Sequence, residues 1–575
     1  MKVRKDSGKS SERISYEFGP FQVDSHERAV RRSGKLLPLR PKAFDILLVL
    51  IQNPGQILEK GEIMEQVWPD TAVEESNLAR NVSTLRKALG DEPGNPKYVE
   101  TIPWRGYRFI AEISKLHKKA ETIDSLAVLP FVNEGNSPET EYLSDGITES
   151  LIHKLSLLHS LKVMSRQSIF QYKVRRQTEE FPEARKVGLE LGVRAVLSGH
   201  IRLVNDSVQV GVELVDTSDN HHLWGAQYNR TLSNIVTLQE TISRQIAEQL
   251  KLTLTGRDKQ RLATPQTENP EAYELYLKGR YVLNRMTLEN LQKGIELFKQ
   301  TIEKDPDYAL AYTGLLDCYI HLARPVEARK AAAKALELDP TLGEVHASLG
   351  FFKFLYDWDF PGAEQEFKQA IELNPNCAGT HGRYATYLSV MGLHEEAFNK
   401  AMRARELDPI LMIGAPGSAL FLARNYDSAI DATLSALELD PNNGTSYSAL
   451  GQVYALKGML NEALAQFEKC RALMGGNPTV DANIKARTGF AYAVAGQRAK
   501  ALKIAEEISR PKGGTPYNIA CIYAALGEND RAFEHLESAY YARSPEIVML
   551  KVDPCLDNLR GDPRFQDLLA RVGFV

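Results

Sequence analysis

Proline recurs in the second half of this 575-residue chain at nearly constant intervals. Pro306, Pro340, Pro375, Pro409 and Pro441 lie 34, 35, 34 and 32 residues apart. Five, eight and twelve residues ahead of most of them stand small and bulky residues in fixed order: Ala335, Ala332 and Ala328, then Ala370, Phe367 and Ala363, then Ala404, Ala401 and Ala397. The physical reason is packing. Two antiparallel helices approach closely only where side chains are small, bulky residues fill the seam, and proline stops the second helix. A unit of this kind cannot bury its apolar face alone, so residues 270–575 are expected to stack into an all-α array. At about 100 to 200 residues per domain, the sequence ahead of it holds two or more further compact units.

The fullest unit, with Tyr447, Leu450, Gly451, Tyr454, Ala463 and Phe467, has Cys470 where alanine is usual. The array resembles the tetratricopeptide solenoids. That resemblance implies about eight helix pairs, a C-terminal cap, and a protein or peptide partner on the concave face. The first unit departs with Gly294 and Thr301, and the units after Gly475 are degenerate. A purely structural stack or a self-association surface is the alternative use of such an array.

The net charge of −4 conceals an asymmetry, because residues 1–120 carry 21 Lys+Arg against 16 Asp+Glu. A basic front on an acidic body points to a nucleic-acid contact at the N-terminus or to an ordinary solvated surface. After a short N-terminal segment expected to be disordered (1–14), residues 15–39 alternate β-favouring pieces with turns, as in a small antiparallel sheet. Three helical patterns follow. The first carries Phe44, Leu47, Leu48 and Ile51 at helical spacing, the second Ile63 and Val67, and the third spans 74–89 with Gly90 as its stop. At about 100° per residue, Leu78, Val82, Leu85 and Leu89 of the third fall within about 60° of one another and form a stripe to bury. The opposite face carries Ser76, Arg80, Ser83, Thr84 and Lys87, with no acid among them. Arginine bonds guanine bidentately and hydroxyls reach bases or phosphates, so such a face suits a major-groove reader. Residues 97–110 then read as a hairpin with Trp104 and Arg105 at its tip.

This order of sheet, three helices and hairpin, with LRPKAFDILLVLIQNPGQ, NVSTLRKALGD and VETIPWRGYRF, resembles the OmpR/PhoB-type winged-helix DNA-binding domain over 15–114. The resemblance implies that Arg80, Asn81, Ser83, Thr84 and Arg86 reach bases or the groove. It places Ser76, Asn77, Lys87, Thr101 and Arg105 at phosphates. Asn81 and Arg86 flank the apolar stripe on the helical wheel. The family often has a basic pair where Ser83-Thr84 stands, so fewer phosphates are neutralised here. A receiver domain often precedes the DNA-binding part in this family, and the fifteen residues ahead of the first strand do not hold one. Signal input is therefore expected from the C-terminal side. Family members commonly sit in pairs on tandem half-sites, which implies a dimer on DNA.

Residues 115–123 read as a polar linker, and 124–256 as a mixed α/β domain in which strands near 126–131, 163, 193–203, 208–216 and 222–228 alternate with helices near 143–158, before Gly192 and after Asn234. A second linker covers 257–269. The wording SLAVLPFVN, EYLSDGITESLIHKLS and VGVELVDTSDNHHLWGAQYNR resembles a domain of adenylate-cyclase-type signalling proteins and TolB N-terminal-like regulators. That implies a connector or sensor, since the cyclase catalytic domain itself is absent.

Several chemistries find no support. Cys318, Cys377, Cys470, Cys521 and Cys555 are widely spaced, without CxxC or metal spacing, and read as reduced buried thiols. His221-His222 point to opposite faces of a strand and make a poor metal pair. Gly8-Lys9-Ser10 lacks the rest of a phosphate-binding loop. No apolar run approaches the roughly 20 residues of a membrane span, and no signal peptide is visible. No catalytic constellation, cofactor or metal is expected. The reading is a multidomain cytoplasmic transcriptional regulator that binds double-stranded DNA and takes its input through the α/β domain or the repeats. An interaction scaffold, with the winged helix turned to protein contacts, is the alternative.

Overall fold

The computed structural model describes residues 13–574 apart from 26–27, 33–34, 69–72, 119–122, 136–140, 176–182, 205–206, 219, 232–234, 251, 253, 264–266, 284–287, 323, 411, 476–477 and 510–514. The Gly8-Lys9-Ser10 segment and most of the N-terminal stretch 1–14 lie outside the described residues. The chain divides into two compact units. One gathers Met1–Ile123 with Glu183–Arg194 and Asp216–His221, and the other holds Asp124–Pro182, Ala195–Val215 and His222–Val575.

In the first unit strands β1 (Arg13–Phe18), β2 (Phe21–Asp24), β3 (Ala29–Arg32) and β4 (Lys35–Leu37) form an antiparallel meander. Helix α1 (Pro41–Gln52), strand β5 (Ile57–Glu59), helices α2 (Lys60–Val67) and α3 (Glu75–Leu89), and the hairpin β6 (Val99–Ile102) and β7 (Gly106–Phe109) follow. Tyr16, Phe18, Phe21 and Val23 point inward while Gln22 points out, the period of two that half-buried strands require. They meet Phe44 and Leu47 of α1 and Phe109 of β7, with the Phe18 and Phe109 rings edge to face at 4.9 Å. The stretch expected as a linker begins as a strand instead: β8 (Ser114–Lys118) pairs antiparallel with β1, Lys115 opposite Tyr16. Leu116 is its only apolar residue, so composition gives no strand signal. The pairing rests on backbone hydrogen bonds at the edge of β1.

The next elements are β9 (Ser125–Val128), β10 (Val132–Asn133), α4 (Glu141–Ser156), β11 (Lys162–Val163), α5 (Arg166–Arg175), α6 (Ala184–Leu191), β12 (Ala195–Val204), β13 (Ser207–Asp216), β14 (His221–Thr231), α7 (Ile235–Gln249) and α8 (Gly256–Ala263). The sheet runs β11-β9-β12-β13-β14 with β10 beside β12, and β9 is parallel to both of its neighbours. All four residues of β9 are buried, as strands of a parallel sheet covered on both faces must be.

Among the described residues, eight helix pairs occupy the second half. Their first members are α9 (Pro270–Leu283), α11 (Ala309–His321), α13 (Gly343–Phe352), α15 (Ala378–Met391), α17 (Ala415–Leu422), α19 (Gly444–Leu456), α21 (Pro478–Val494) and α23 (Pro516–Ala525). The second members are α10 (Leu288–Lys304), α12 (Pro325–Leu338), α14 (Phe360–Leu373), α16 (His394–Leu407), α18 (Tyr426–Leu439), α20 (Leu460–Met474), α22 (Arg498–Ile508) and α24 (Asn529–Tyr541). Two 3-10 turns, Pro545–Lys551 and Pro554–Leu559, and α25 (Pro563–Val572) close the stack. Each proline of the ladder stands two residues beyond a second helix, and Ala328, Ala332, Ala335, Ala363, Phe367 and Ala370 are buried in the seams. Winged helix, α/β domain and helical solenoid are the three architectures the sequence implies.

Candidate nucleic-acid interface

Helix α3 is anchored as its periodicity requires: Leu78, Val82, Leu85 and Leu89 are at most 2% exposed. Gly90 ends it in the left-handed region at φ 66°, donating its N–H to Arg86 and Lys87 carbonyls, while the Asp91 N–H reaches the Arg86 carbonyl at 2.9 Å. The buried Asp91 carboxylate then accepts from the Lys97 and Val99 N–H groups at 2.6 and 2.9 Å. From the helix, Arg86 Nη2 donates to the Val99 carbonyl and to Thr101 Oγ1, both at 2.7 Å. Helix and hairpin are thus joined by one acid and one arginine. A buried guanidinium is tolerable only when so satisfied.

These bonds sort the ten predicted contact residues. Ser76, Asn77, Arg80, Ser83, Lys87, Thr101 and Arg105 are exposed, and Thr84 is half-buried. Asn81 and Arg86 lie inside, each 8% exposed. Asn81 Nδ2 donates to the Asn77 carbonyl at 3.0 Å. Thr84 Oγ1 donates back to the Arg80 carbonyl at 3.1 Å, leaving its oxygen free to accept. Among the described residues Arg80, Lys87 and Arg105 form no ion pair. At the helix N-terminus Glu75 pairs with Lys60 Nζ at 2.5 Å, and that bond raises the Lys60 pKa above its ordinary value.

At the hairpin tip Trp104 is fully exposed and adopts φ 67°. Beside it Gly106 is obligatory for a spatial reason, because a Cβ there would sit 1.9 Å from the Leu58 carbonyl oxygen of β5. Asp91 escapes a reading of the recognition helix. The only local signal is an acid directly after the helix-stopping glycine.

The concave face holds a different arrangement. The first helices of a tetratricopeptide array line its inner side. In this chain, within the second unit, α4 packs on α9 and the loop after it reaches the loops that follow α14 and α16. Gly146 of α4 permits the approach, since a Cβ would fall 2.6 Å from Leu277 of α9. Glu149 bridges Arg166 and Arg280, each Nε 2.8 Å away. Asn376 Nδ2 donates to the Ser156, Leu158 and Leu161 carbonyls at 2.9 to 3.1 Å, satisfying groups that a helix end leaves orphaned. Asp408, wholly buried, accepts from the Ser165 and Ser168 hydroxyls. Helix α4 and the loop after it are therefore bonded to helices and loops of the first repeats. Among the described residues no three metal-binding side chains converge, and no helix is long and apolar enough to cross a membrane.

Comparison with known proteins follows the same division. Residues 34–109 match the family model "Transcriptional regulatory protein, C terminal", 121–245 match "HilA/YgeH-like transcriptional regulator, second domain", and 286–350 match "Tetratricopeptide repeat". The chain is 25% identical over 412 residues to "Transcriptional regulator HilA" of Salmonella typhimurium, covering 70% of this chain and 71% of that one. It is 34% identical over 191 residues to "Putative adenylate cyclase 3" of Rhizobium meliloti, covering 33% of this chain and 32% of that protein. The match thus spans about a third of that relative's length. The solved "DNA binding domain of E. coli CadC" is 26% identical, with 18% of this chain and 99% of that chain covered at a TM-score of 0.17. In sequence and fold alike, the chain carries an OmpR/PhoB-type winged-helix domain, a HilA-like regulator domain and C-terminal tetratricopeptide repeats.

Proposed function

We propose that this chain is a DNA-binding transcriptional regulator without enzymatic activity, working in the cytoplasm. The observation that carries it is the exposed row Arg80, Ser83 and Lys87, with half-buried Thr84 beside it, on a helix stapled to its wing by Arg86 and Asp91. In this reading Arg80, Ser83 and Thr84 meet base edges, while Ser76, Asn77, Lys87, Thr101 and Arg105 meet phosphates. Asn81 and Arg86 act as positioning residues that hold the helix and wing in register. Two copies occupy tandem half-sites. HilA, named a transcriptional regulator, supports the reading because the similarity covers 70% of this chain and 71% of that one. The docked α/β domain supports a division of labour in which the first repeats hold the sensor and later repeats face a protein partner.

The test is binding of the purified full chain to genomic duplex fragments over a salt series. Binding is expected to fall steeply with salt, with log K against log[salt] sloping by about −0.9 per neutralised phosphate. Affinity no greater than that of an acidic control protein would remove the reading and leave the scaffold alternative.

A further inference from the structure

The tip of the β6–β7 hairpin combines exposure with strain. Ile102 pairs with Gly106, so Pro103, Trp104 and Arg105 form the connecting loop. The Arg105 N–H donates to the Ile102 carbonyl at 3.1 Å and closes a β-turn with Pro103 second and Trp104 third. A positive φ at the third position after proline marks a type II turn, and glycine or asparagine ordinarily stands there. Trp104 holds φ 67° instead, a region in which a bulky side chain is strained. Its indole is 100% exposed, whereas Trp68, Trp224 and Trp358 are half-buried. No burial within the chain offsets either cost. A strained, unburied aromatic points to a contact made outside the chain.

The turn is nevertheless held fast. The Lys60 N–H donates to the Arg105 carbonyl at 3.2 Å, and Gly106 lies so close to β5 that a Cβ would sit 1.9 Å from the Leu58 carbonyl oxygen. Lys60 also reaches Glu75, the first residue of α3, through its Nζ. Nearer the base of the hairpin, Arg86 of α3 binds Val99 and Thr101. Helix and tip are thus tied at two places, and seating α3 carries Trp104 with it. The surroundings of the indole select a polyanion. Arg105 is exposed and forms no ion pair among the described residues, while the acids of the neighbouring elements are engaged: Glu75 by Lys60, Glu100 by Arg108 at 2.6 Å, and Glu59 and Glu62 by the capping box that opens α2.

We infer that Trp104 is a minor-groove wedge. With α3 in the major groove, the indole enters the neighbouring minor groove with Arg105 beside it, partly unstacks one base step and bends the duplex there. The minor groove is about 6 Å wide, so a planar ring entering edge-on meets both walls; in the major groove, about 12 Å wide, it would meet one. The negative potential of a narrow minor groove also draws the arginine in. Pyrimidine–purine steps unstack easily, so bound sites should carry TA or CA at a fixed distance from the bases that α3 reads. The inference rests on the DNA-binding reading above and adds to it a contact that selects deformable sequence rather than a hydrogen-bonding pattern.

The experiment uses the full chain and a genomic duplex that it retains, with the fluorescent base 2-aminopurine placed singly at successive steps across the bound site. Wild type should brighten the probe at one step, the mark of an unstacked base. Trp104→Gly should abolish that signal and weaken binding by roughly five- to a hundredfold, the range for losing one aromatic–base contact, with base preference under α3 unchanged. The same variant should melt at or near the wild-type temperature, because glycine takes φ 67° without strain. Trp104→Asn replaces it if it melts lower. Trp104→Phe, which keeps an aromatic face, should retain the signal. Wild-type affinity in the glycine variant overturns the wedge. So does lost affinity without a brightened step in the wild-type complex, a result that would assign Trp104 to a neighbouring copy of the chain. Either of these leaves the DNA-binding reading standing, whereas a chain that retains no duplex removes that reading and the wedge with it.

Discussion

Helices α3 and α4 are nearly equal in length, at 15 and 16 residues, and both carry cations and hydroxyls, yet they end in opposite situations. On α3 one apolar stripe is buried and the other face keeps Arg80, Ser83 and Lys87 in solvent with no ion pair among the described residues. On α4 even the polar residues are enclosed: Ser144, Asp145, Thr148, Ser150, Lys154 and Ser156 are buried, and Glu149 holds two arginines. The difference teaches that polar side chains on a helix become a reading surface only when their hydrogen-bonding capacity is left over after folding. Where neighbouring elements use that capacity, the same residue types become the joint between domains.

The largest effect should come from breaking the joint. Glu149→Gln leaves Arg166 and Arg280 facing each other across a neutral amide, and the loss of a buried charge partner costs about 3–5 kcal/mol. Thermal unfolding of the full chain measures it. The same carboxyl sets an acid dependence. Burial raises its pKa, but Arg280 and Arg166 dominate and hold it at about 2, below its ordinary 4.5. A depressed carboxyl contributes stability above its unfolded value that is lost as pH falls toward the folded one. Wild-type melting should drop between these two pH values, and the glutamine variant should lose that component of the drop.

Breaking the reading surface comes next. Arg80→Ala should weaken specific DNA binding by about 1–3 kcal/mol and relax base preference at one position, as gel retardation on a set of single-base variants of the site would show. Arg86→Lys sharpens the comparison further, because it keeps the charge but loses the forked contact to Val99 and Thr101. Stability should fall by about 1–2 kcal/mol. Affinity for DNA should follow with base preference unchanged, the mark of a positioning residue. Smallest is Lys87→Ala, which should weaken binding uniformly across sequences and reduce the salt slope by about 1.

Periodicity exposed both ends of the molecule. The stripe Leu78, Val82, Leu85 and Leu89 is buried where the helical wheel puts it, and the alanines ahead of Pro340, Pro375, Pro409 and Pro441 fill the seams. The wheel also carried the hint that Asn81 and Arg86 flank the stripe, and the structure places both inside. Strand β8 escaped notice because its sequence has almost no apolar content. Helix α5 escaped for lack of a clean apolar period. The roles of Asn376 and Asp408 had no local signal at all, because their partners lie more than 200 residues away in the chain.

By itself the sequence determined most of the helices and strands, the faces that the periodic ones bury, and which side chains stand on the recognition helix, since each depends on neighbours within one or two turns. Only the tertiary structure decided that Arg86 ties helix to wing while Arg80 forms no ion pair among the described residues, and that α4 packs against the first repeats. Those outcomes depend on which polar groups find partners across long loops, and hydrogen-bond satisfaction over such distances leaves no periodic trace in the order of residues.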